Sequence, residues 1–256
     1  MKFLATAFVF VHLTILAHAQ CPSSVDVLVV GDSQSGATWS KSYFGNFMAS
    51  CLQGNFVIYG RGATVPANWI GSGGMDHIET IQRTSSNNHL NIGAGETVPL
   101  CKKRIGPMLE AHTPKKVLFQ FGGNMITSAE DVVIQQVDRL MVTAMEKGIK
   151  SQNCFFLMPT YEMEVESRRT VPHRNLSNVQ KINRIITQTI AGRCQVIDGL
   201  EVMKDSPYFD GKELLRRVPI EGKPGCGGAA VNDNVHVCGE AARDLSERVC
   251  AIIQPE

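Results

Sequence analysis

From Val25 to Val30 (VDVLVV) the chain is almost continuously apolar and β-branched, and the run is closed by Gly31. That is how a strand buried on both faces of a parallel sheet reads. Runs of the same kind recur at Phe56 to Tyr59, Val117 to Phe121, Cys154 to Met158 and Gln195 to Ile197. Between them, apolar residues spaced three and four apart predict helices over Ser42 to Leu52, Ala129 to Lys147, Asn178 to Ala191 and Gly239 to Ile253. Strand alternating with helix predicts an α/β fold: a three-layer α/β/α sandwich around a central, mostly parallel, doubly wound five-stranded sheet with right-handed crossovers. In such sheets ligands bind where strands give way to helices, so function is sought just after each strand. Ala63 to Pro99 is rich in Gly, Ser and Asn with weak periodicity, and is expected to be a long loop region of the same domain. No internal repeat or low-complexity tract interrupts the pattern.

The first 19 residues follow another pattern. One early positive charge, Lys2, precedes an apolar run from Phe3 to Leu16 and then Ala17-His18-Ala19, which reads as a signal peptide cleaved near Ala19. The run is shorter than the ~20 residues that span a bilayer. Residues 20–256 are expected to be a single domain, secreted to an extracellular or periplasmic space. All eight cysteines (Cys21, Cys51, Cys101, Cys154, Cys194, Cys226, Cys238 and Cys250) fall in that part, and an even count in an exported chain suggests disulfides of unreadable connectivity. A Cys226–Cys238 bridge would brace the loop between them. The spacing of the cysteines suits no zinc site, and no metal or cofactor is expected. Without Lys2 the chain holds 24 basic and 24 acidic residues, which gives no electrostatic reason to bind nucleic acid or anionic membrane. A monomer without stable membrane insertion is expected.

Chemistry collects at the strand ends. Gly31-Asp32-Ser33-Gln34-Ser35 puts a serine between a buried strand and a helix, where backbone N–H groups face it, as nucleophilic catalysis requires. The same residues could simply turn the chain and cap the helix. Gly60-Arg61-Gly62 provides a glycine-rich bend after the second strand. After the third, Phe121-Gly122-Gly123-Asn124 offers close backbone approach and an amide able to stabilise developing negative charge. Asn232-Asp233-Asn234-Val235-His236 sets a carboxylate three residues before an imidazole, near enough to orient the ring toward a serine across a cleft.

In this order the blocks resemble the SGNH (GDSL-type) hydrolase superfamily, including its lysophospholipase/thioesterase and carbohydrate acetylesterase branches. The resemblance implies the flavodoxin-like fold of that family and a catalytic set of Ser33, Asp233 and His236. It also implies an oxyanion hole from the N–H groups of Ser33 and Gly60, with Gly62 as the fallback, and from the side-chain amide of Asn124. The family's third block usually continues Asn-Asp, whereas Met125 follows Asn124 here. Its histidine is often followed by proline, whereas Val237 follows His236.

The implied activity is hydrolysis of carboxylic esters through an acyl-enzyme, most concretely removal of O-acetyl groups from a carbohydrate or cell-wall glycan. Loops at Gln34 to Ser42, Arg61 to Gly74, Met125 to Glu130 and Tyr161 to Asn175 are mostly small and polar, unlike an acyl-chain tunnel. Core packing is the expected role of Trp39 and Trp69, with sugar stacking as the alternative. Lipase, lysophospholipase or thioesterase activity, a catalytically silent glycan-binding domain and a metal-dependent hydrolase are the rival readings. Arg168, Arg169, His173 and Arg174 could meet an acidic substrate group or form a solvated face. His77, His89 and His112 have no partner motif, and Asp198 and Asp210 are rival carboxylates for His236. Asn175-Leu176-Ser177 is a glycosylation sequon in a eukaryotic host.

Overall fold

The structure, a computed structural model, describes residues 21, 24–36, 44–71, 78–83, 103–159, 176–208, 237 and 239–254. Its strands are β1 (Val27–Gly31), β2 (Phe56–Gly60), β3 (Glu79–Arg83), β4 (Lys116–Gln120), β5 (Cys154–Leu157) and β6 (Gln195–Ile197). They form one six-stranded sheet in the order β3-β2-β1-β4-β5-β6. Every pairing is parallel except β2 with β3, which is antiparallel. The helices are α1 (Phe44–Cys51), α2 (Pro66–Ile70), α3 (Ile105–His112), α4 (Glu130–Glu146), α5 (Leu176–Ile190), α6 (Gly199–Met203) and α7 (Gly239–Ile253).

Alternation along β1 sorts the layers. Leu28 and Val30 belong to a core that also takes Trp69, Met108, Val137 and Ile186 from α2, α3, α4 and α5. Val27 and Val29 face the opposite side, against Met48, Met203 and Leu245 from α1, α6 and α7. Successive residues of a strand point to opposite faces, so a run apolar at every position needs helices on both sides.

Two expectations need correction. The sheet has six strands rather than five, and Ala63 to Pro99 is not all loop, because it contains α2 and β3. Glu79–Arg83 reads ETIQR, and only Thr80 and Ile81 are buried. An antiparallel edge strand has one neighbour and partial cover, so it lacks the continuous apolar run that marks the inner strands. Helix α3 was hidden by Gly106-Pro107, which reads as a break. Pro107 is the third residue of the helix, where its missing N–H has no intrahelical partner to lose.

The amino ends of the strands are tied covalently. Cys51, last residue of α1, bonds to Cys250 in the last turn of α7, and Cys154 at the start of β5 bonds to Cys194 just before β6. Cys21 is also disulfide-bonded. Beside them, Asp26 accepts from the Asn55 N–H at 2.8 Å and pairs with Lys115 at 2.7 Å. The hydrogen bond from Lys115, then that from Asn55, holds the Asp26 carboxyl below the usual carboxylate range. Cys101, Cys226, Cys238 and residues 1–20, with the expected signal peptide, lie outside the described residues. Among the described residues no helix is long and apolar enough to cross a membrane.

Candidate functional site

Past Gly31 the chain turns tightly. The Asp32 N–H donates to Gln120 O at 3.2 Å, extending the β1–β4 ladder by one bond. The Ser35 N–H then donates to Asp32 O at 3.1 Å and the Gly36 N–H to Ser33 O at 3.2 Å. The Asp32 carboxylate accepts from the Gln34 N–H at 3.0 Å, the local bond that makes aspartate a turn former. Ser33 therefore sits inside a short, hydrogen-bonded corner, 9% exposed, between Asp32 at 2% and Ser35 at 1%.

Two neighbours brace this corner. The buried Ser35 hydroxyl donates to Gln120 Oε1 at 2.9 Å, so β4 holds the turn through main chain and side chain together. On the other side, a Cβ at Gly60 would stand 2.3 Å from Gly36 N and 2.4 Å from the Ser35 carbonyl carbon. Only glycine lets the end of β2 approach so closely. Glu79, opposite Gly60 in β3, brings its carboxylate to 2.5 Å from where a Gly36 Cβ would be.

After β4, Gly122 takes a φ of +132°, and a Cβ there would lie 2.4 Å from the Pro159 ring. The chain then makes a single 3-10 turn, Gly123–Met125, which carries Asn124. One N–H of the Asn124 amide donates to Thr64 O at 3.1 Å. The Asp32 carboxylate reaches this turn as well: its Oδ2 is 3.7 Å from a Cβ built on Gly123. Ser33, Gly60 and Asn124 thus stand at the carboxyl ends of β1, β2 and β4, neighbouring strands of one sheet. Asp233 and His236 lie outside the described residues, as do Trp39, His77, His89, Arg168, Arg169, His173, Arg174 and Asp210.

Three other residues have structural roles. Trp69 is not a surface platform. It is fully buried, its ring stands 6.3 Å from that of Phe121, and its indole N–H donates to Thr64 Oγ1 at 3.2 Å. His112 is buried at the opposite edge, where its carbonyl accepts from the Val25 N–H and its Nε2 meets the Tyr59 hydroxyl at 2.7 Å. Burial pushes the Tyr59 phenol well above its ordinary range. Asp198 caps α6, accepting from the N–H groups of Leu200 at 2.9 Å and Glu201 at 3.4 Å.

Sequence reasoning missed Gln120 and Thr64, and with Gln120 the bond that Ser35, read as a turn residue, makes to it. Gln120 left a signal, as the lone polar residue in Val117 to Phe121, because a buried polar side chain in a central strand needs a partner. Further along the same edge, where β5 and β6 end, an open cleft of about 580 Å³ is lined by Met158, Asn183, Arg184, Asp198, Glu201 and Lys204 among others.

No protein-family model matches the sequence, and no curated relative matches it. Solved structures do match the fold. A carbohydrate acetylesterase family member from Sinorhizobium meliloti superposes with a TM-score of 0.51 at 13% identity, covering 89% of this chain and 98% of that one. A candidate platelet activating factor from Streptococcus pneumonia gives 0.54 at 12% identity, covering 95% and 87%. A candidate arylesterase from Agrobacterium tumefaciens gives 0.50 at 14%, covering 88% and 96%. At these identities the likeness establishes the fold: this chain has the α/β fold of those structures, with its six-stranded, mostly parallel sheet flanked by helices.

Proposed function

We propose that the chain is a secreted SGNH-type serine hydrolase that cleaves carboxylic esters. Ser33 is the nucleophile, His236 its base, and Asp233 orients the imidazole. His236 removes the Ser33 proton as the oxygen attacks the ester carbonyl. The oxyanion is held by the N–H groups of Ser33 and Gly60, with Gly62 the alternative to Gly60, and by the second N–H of Asn124. The alkoxide leaves with the proton returned by His236. Water, deprotonated by the same ring, then releases the acid and restores the serine.

The observation carrying this reading is that Ser33 and Asn124 follow the adjacent strands β1 and β4, with the Ser33 corner tied to the end of β4 by the Asp32 N–H on Gln120 O and the Ser35 hydroxyl on Gln120 Oε1. A serine that merely capped a helix would need no such brace across two strands. The fold shared with structures named as esterases supports the reaction class. The disulfides support an oxidising compartment, and hence secretion.

The substrate proposed is an O-acetylated glycan. The strand-end loops are small and polar, which suits a short acyl group on a hydroxyl-rich carrier. With Trp69 in the core, this choice rests on loop polarity and draws nothing from stacking. The test is a rate series on esters from acetyl to palmitoyl, beside acetate release from an acetylated polysaccharide, with Ser33→Ala as control. Acetyl esters are expected to be fastest. Rates rising with chain length would move the substrate to lipids or thioesters, and wild-type rates in Ser33→Ala would remove the nucleophile.

A further inference from the structure

Trp69, Thr64, Asn124 and Phe121 form a circuit of contacts that closes through the chain between Phe121 and Asn124. The Trp69 indole N–H donates to Thr64 Oγ1 at 3.2 Å, and that hydroxyl donates in turn to Arg61 O at 2.8 Å. The Thr64 carbonyl accepts from the Asn124 amide at 3.1 Å. Back along the chain from Asn124, Phe121 packs its ring on Trp69, closing the circuit. Thr64 is 5% exposed and Trp69 and Phe121 are wholly buried, so the indole–hydroxyl bond is shielded from solvent, while the bonds to Arg61 O and from Asn124 are part-buried.

We propose that Thr64 and Trp69 are positioning residues for Asn124, fixing the plane of its amide so that the N–H not bound to Thr64 points at the oxyanion. This rests on the function proposed above and assigns the control of one of its donors. An asparagine χ2 torsion is broad and roughly two-fold, so an unheld amide turns and can present its oxygen instead of its nitrogen. Tying one N–H to a main-chain carbonyl removes that freedom. The carbonyl is itself fixed, because the Thr64 hydroxyl pulls the loop back onto Arg61 and the indole locks the hydroxyl. Trp69 reaches both loops, gripping the Thr64 side by its N–H and the Asn124 side through the ring of Phe121. A transition-state donor is worth its full effect only when its geometry is set in advance.

The test is kinetic and uses the full chain. Thr64→Val keeps the side-chain shape and removes both hydroxyl bonds, Thr64→Ser keeps them, and Trp69→Phe removes the indole N–H together with one ring of a wholly buried side chain, so its effect is read from the Asn124→Ala background. Thr64→Val is expected to lower kcat roughly tenfold with KM little changed, short of the ~10²- to 10³-fold cost of losing a donor outright. Trp69→Phe should lower it less, and Thr64→Ser should restore it. In an Asn124→Ala background neither Thr64→Val nor Trp69→Phe should lower kcat further, which a purely structural role would not produce. Losses that multiply with Asn124→Ala, or wild-type kcat in both Thr64→Val and Trp69→Phe while Asn124→Ala is crippled, overturn the proposal. Wild-type kcat in Asn124→Ala itself instead overturns the oxyanion role and this proposal with it. If Thr64→Val fails to fold, Trp69→Phe decides the question alone.

Discussion

Among the described residues, the amino ends of the strands are tied by two disulfides and an ion pair beside the buried Tyr59–His112 bond, whereas the carboxyl ends are tied by buried and part-buried hydrogen bonds without a covalent link. Cys51–Cys250, Cys154–Cys194 and the Asp26–Lys115 pair all stand at the first edge. The second has Ser35 on Gln120, Asn124 on Thr64 and a glycine at 60 that lets the corner close. A disulfide fixes two Cα atoms while leaving their surroundings free to shift, and a surface ion pair fixes less still. Short bonds between buried groups define direction as well as distance, which an oxyanion requires. On the proposed function, stability and chemistry are handled at separate ends of the same strands.

The difference is testable from both sides. Ser33→Ala should remove ester hydrolysis by at least about 10³-fold while the melting curve stays close to wild type, as measured by acetate release and calorimetry. Next, Asn124→Ala should lower kcat by about 10²- to 10³-fold, equivalent to roughly 2.7–4 kcal/mol, with far less effect on unfolding. At the stapled edge the expectations reverse. Replacing Cys51 and Cys250 together by alanine should cost about 2–5 kcal/mol of unfolding free energy, because the bridge spans 199 residues of sequence, with kcat of the folded protein retained. A large fall in kcat with unchanged stability in that variant would erase the distinction between the edges.

The smallest effect belongs to Asp26→Asn, expected to cost less than about 1 kcal/mol at neutral pH because the pair is exposed. Its sign with pH follows from the lowered carboxyl. The contribution is complete above the unfolded carboxylate value of about 3.9 and disappears as pH falls through the lower folded value. Denaturant titrations of wild type and variant should therefore converge in acid, and a gap that widens there would contradict the assignment.

How much of this was legible in sequence depended on the physical demand at each position. The inner strands must be apolar on both faces, so β1, β2, β4 and β5 announced themselves, and the long amphipathic helices were placed to within two residues at each end. β3 was silent because an edge strand has only half that demand, and α3 because Pro107 costs nothing in a first turn. The positions of Ser33 and Asn124 at strand ends were legible because motif order places them after parallel strands, and the sheet brings those strand ends together. The bonds of Thr64 and Gln120 were not, since they depend on which loop lies beside which strand. For Trp69 the inward reading holds, and the sequence left stacking open for a general reason: a large aromatic near a polar loop looks the same in sequence whether its ring faces inward or outward, and burial with the indole N–H on Thr64 settles its direction.

The pairing of α1 with α7 carries a consequence for biosynthesis. Phe44–Cys51 follows the serine corner in the chain and Gly239–Ile253 follows the aspartate–histidine segment, and the two helices lie in one layer, joined by Ser246 Oγ on Phe44 O at 3.1 Å and by the Cys51–Cys250 bond. On the proposed function, the nucleophile Ser33 thus emerges early from the ribosome and its base His236 about two hundred residues later. On the proposed reading, a nascent or carboxyl-truncated polypeptide carries the hydroxyl without the imidazole, and esters inside the producing cell stay out of reach until the last helix docks and oxidation seals it.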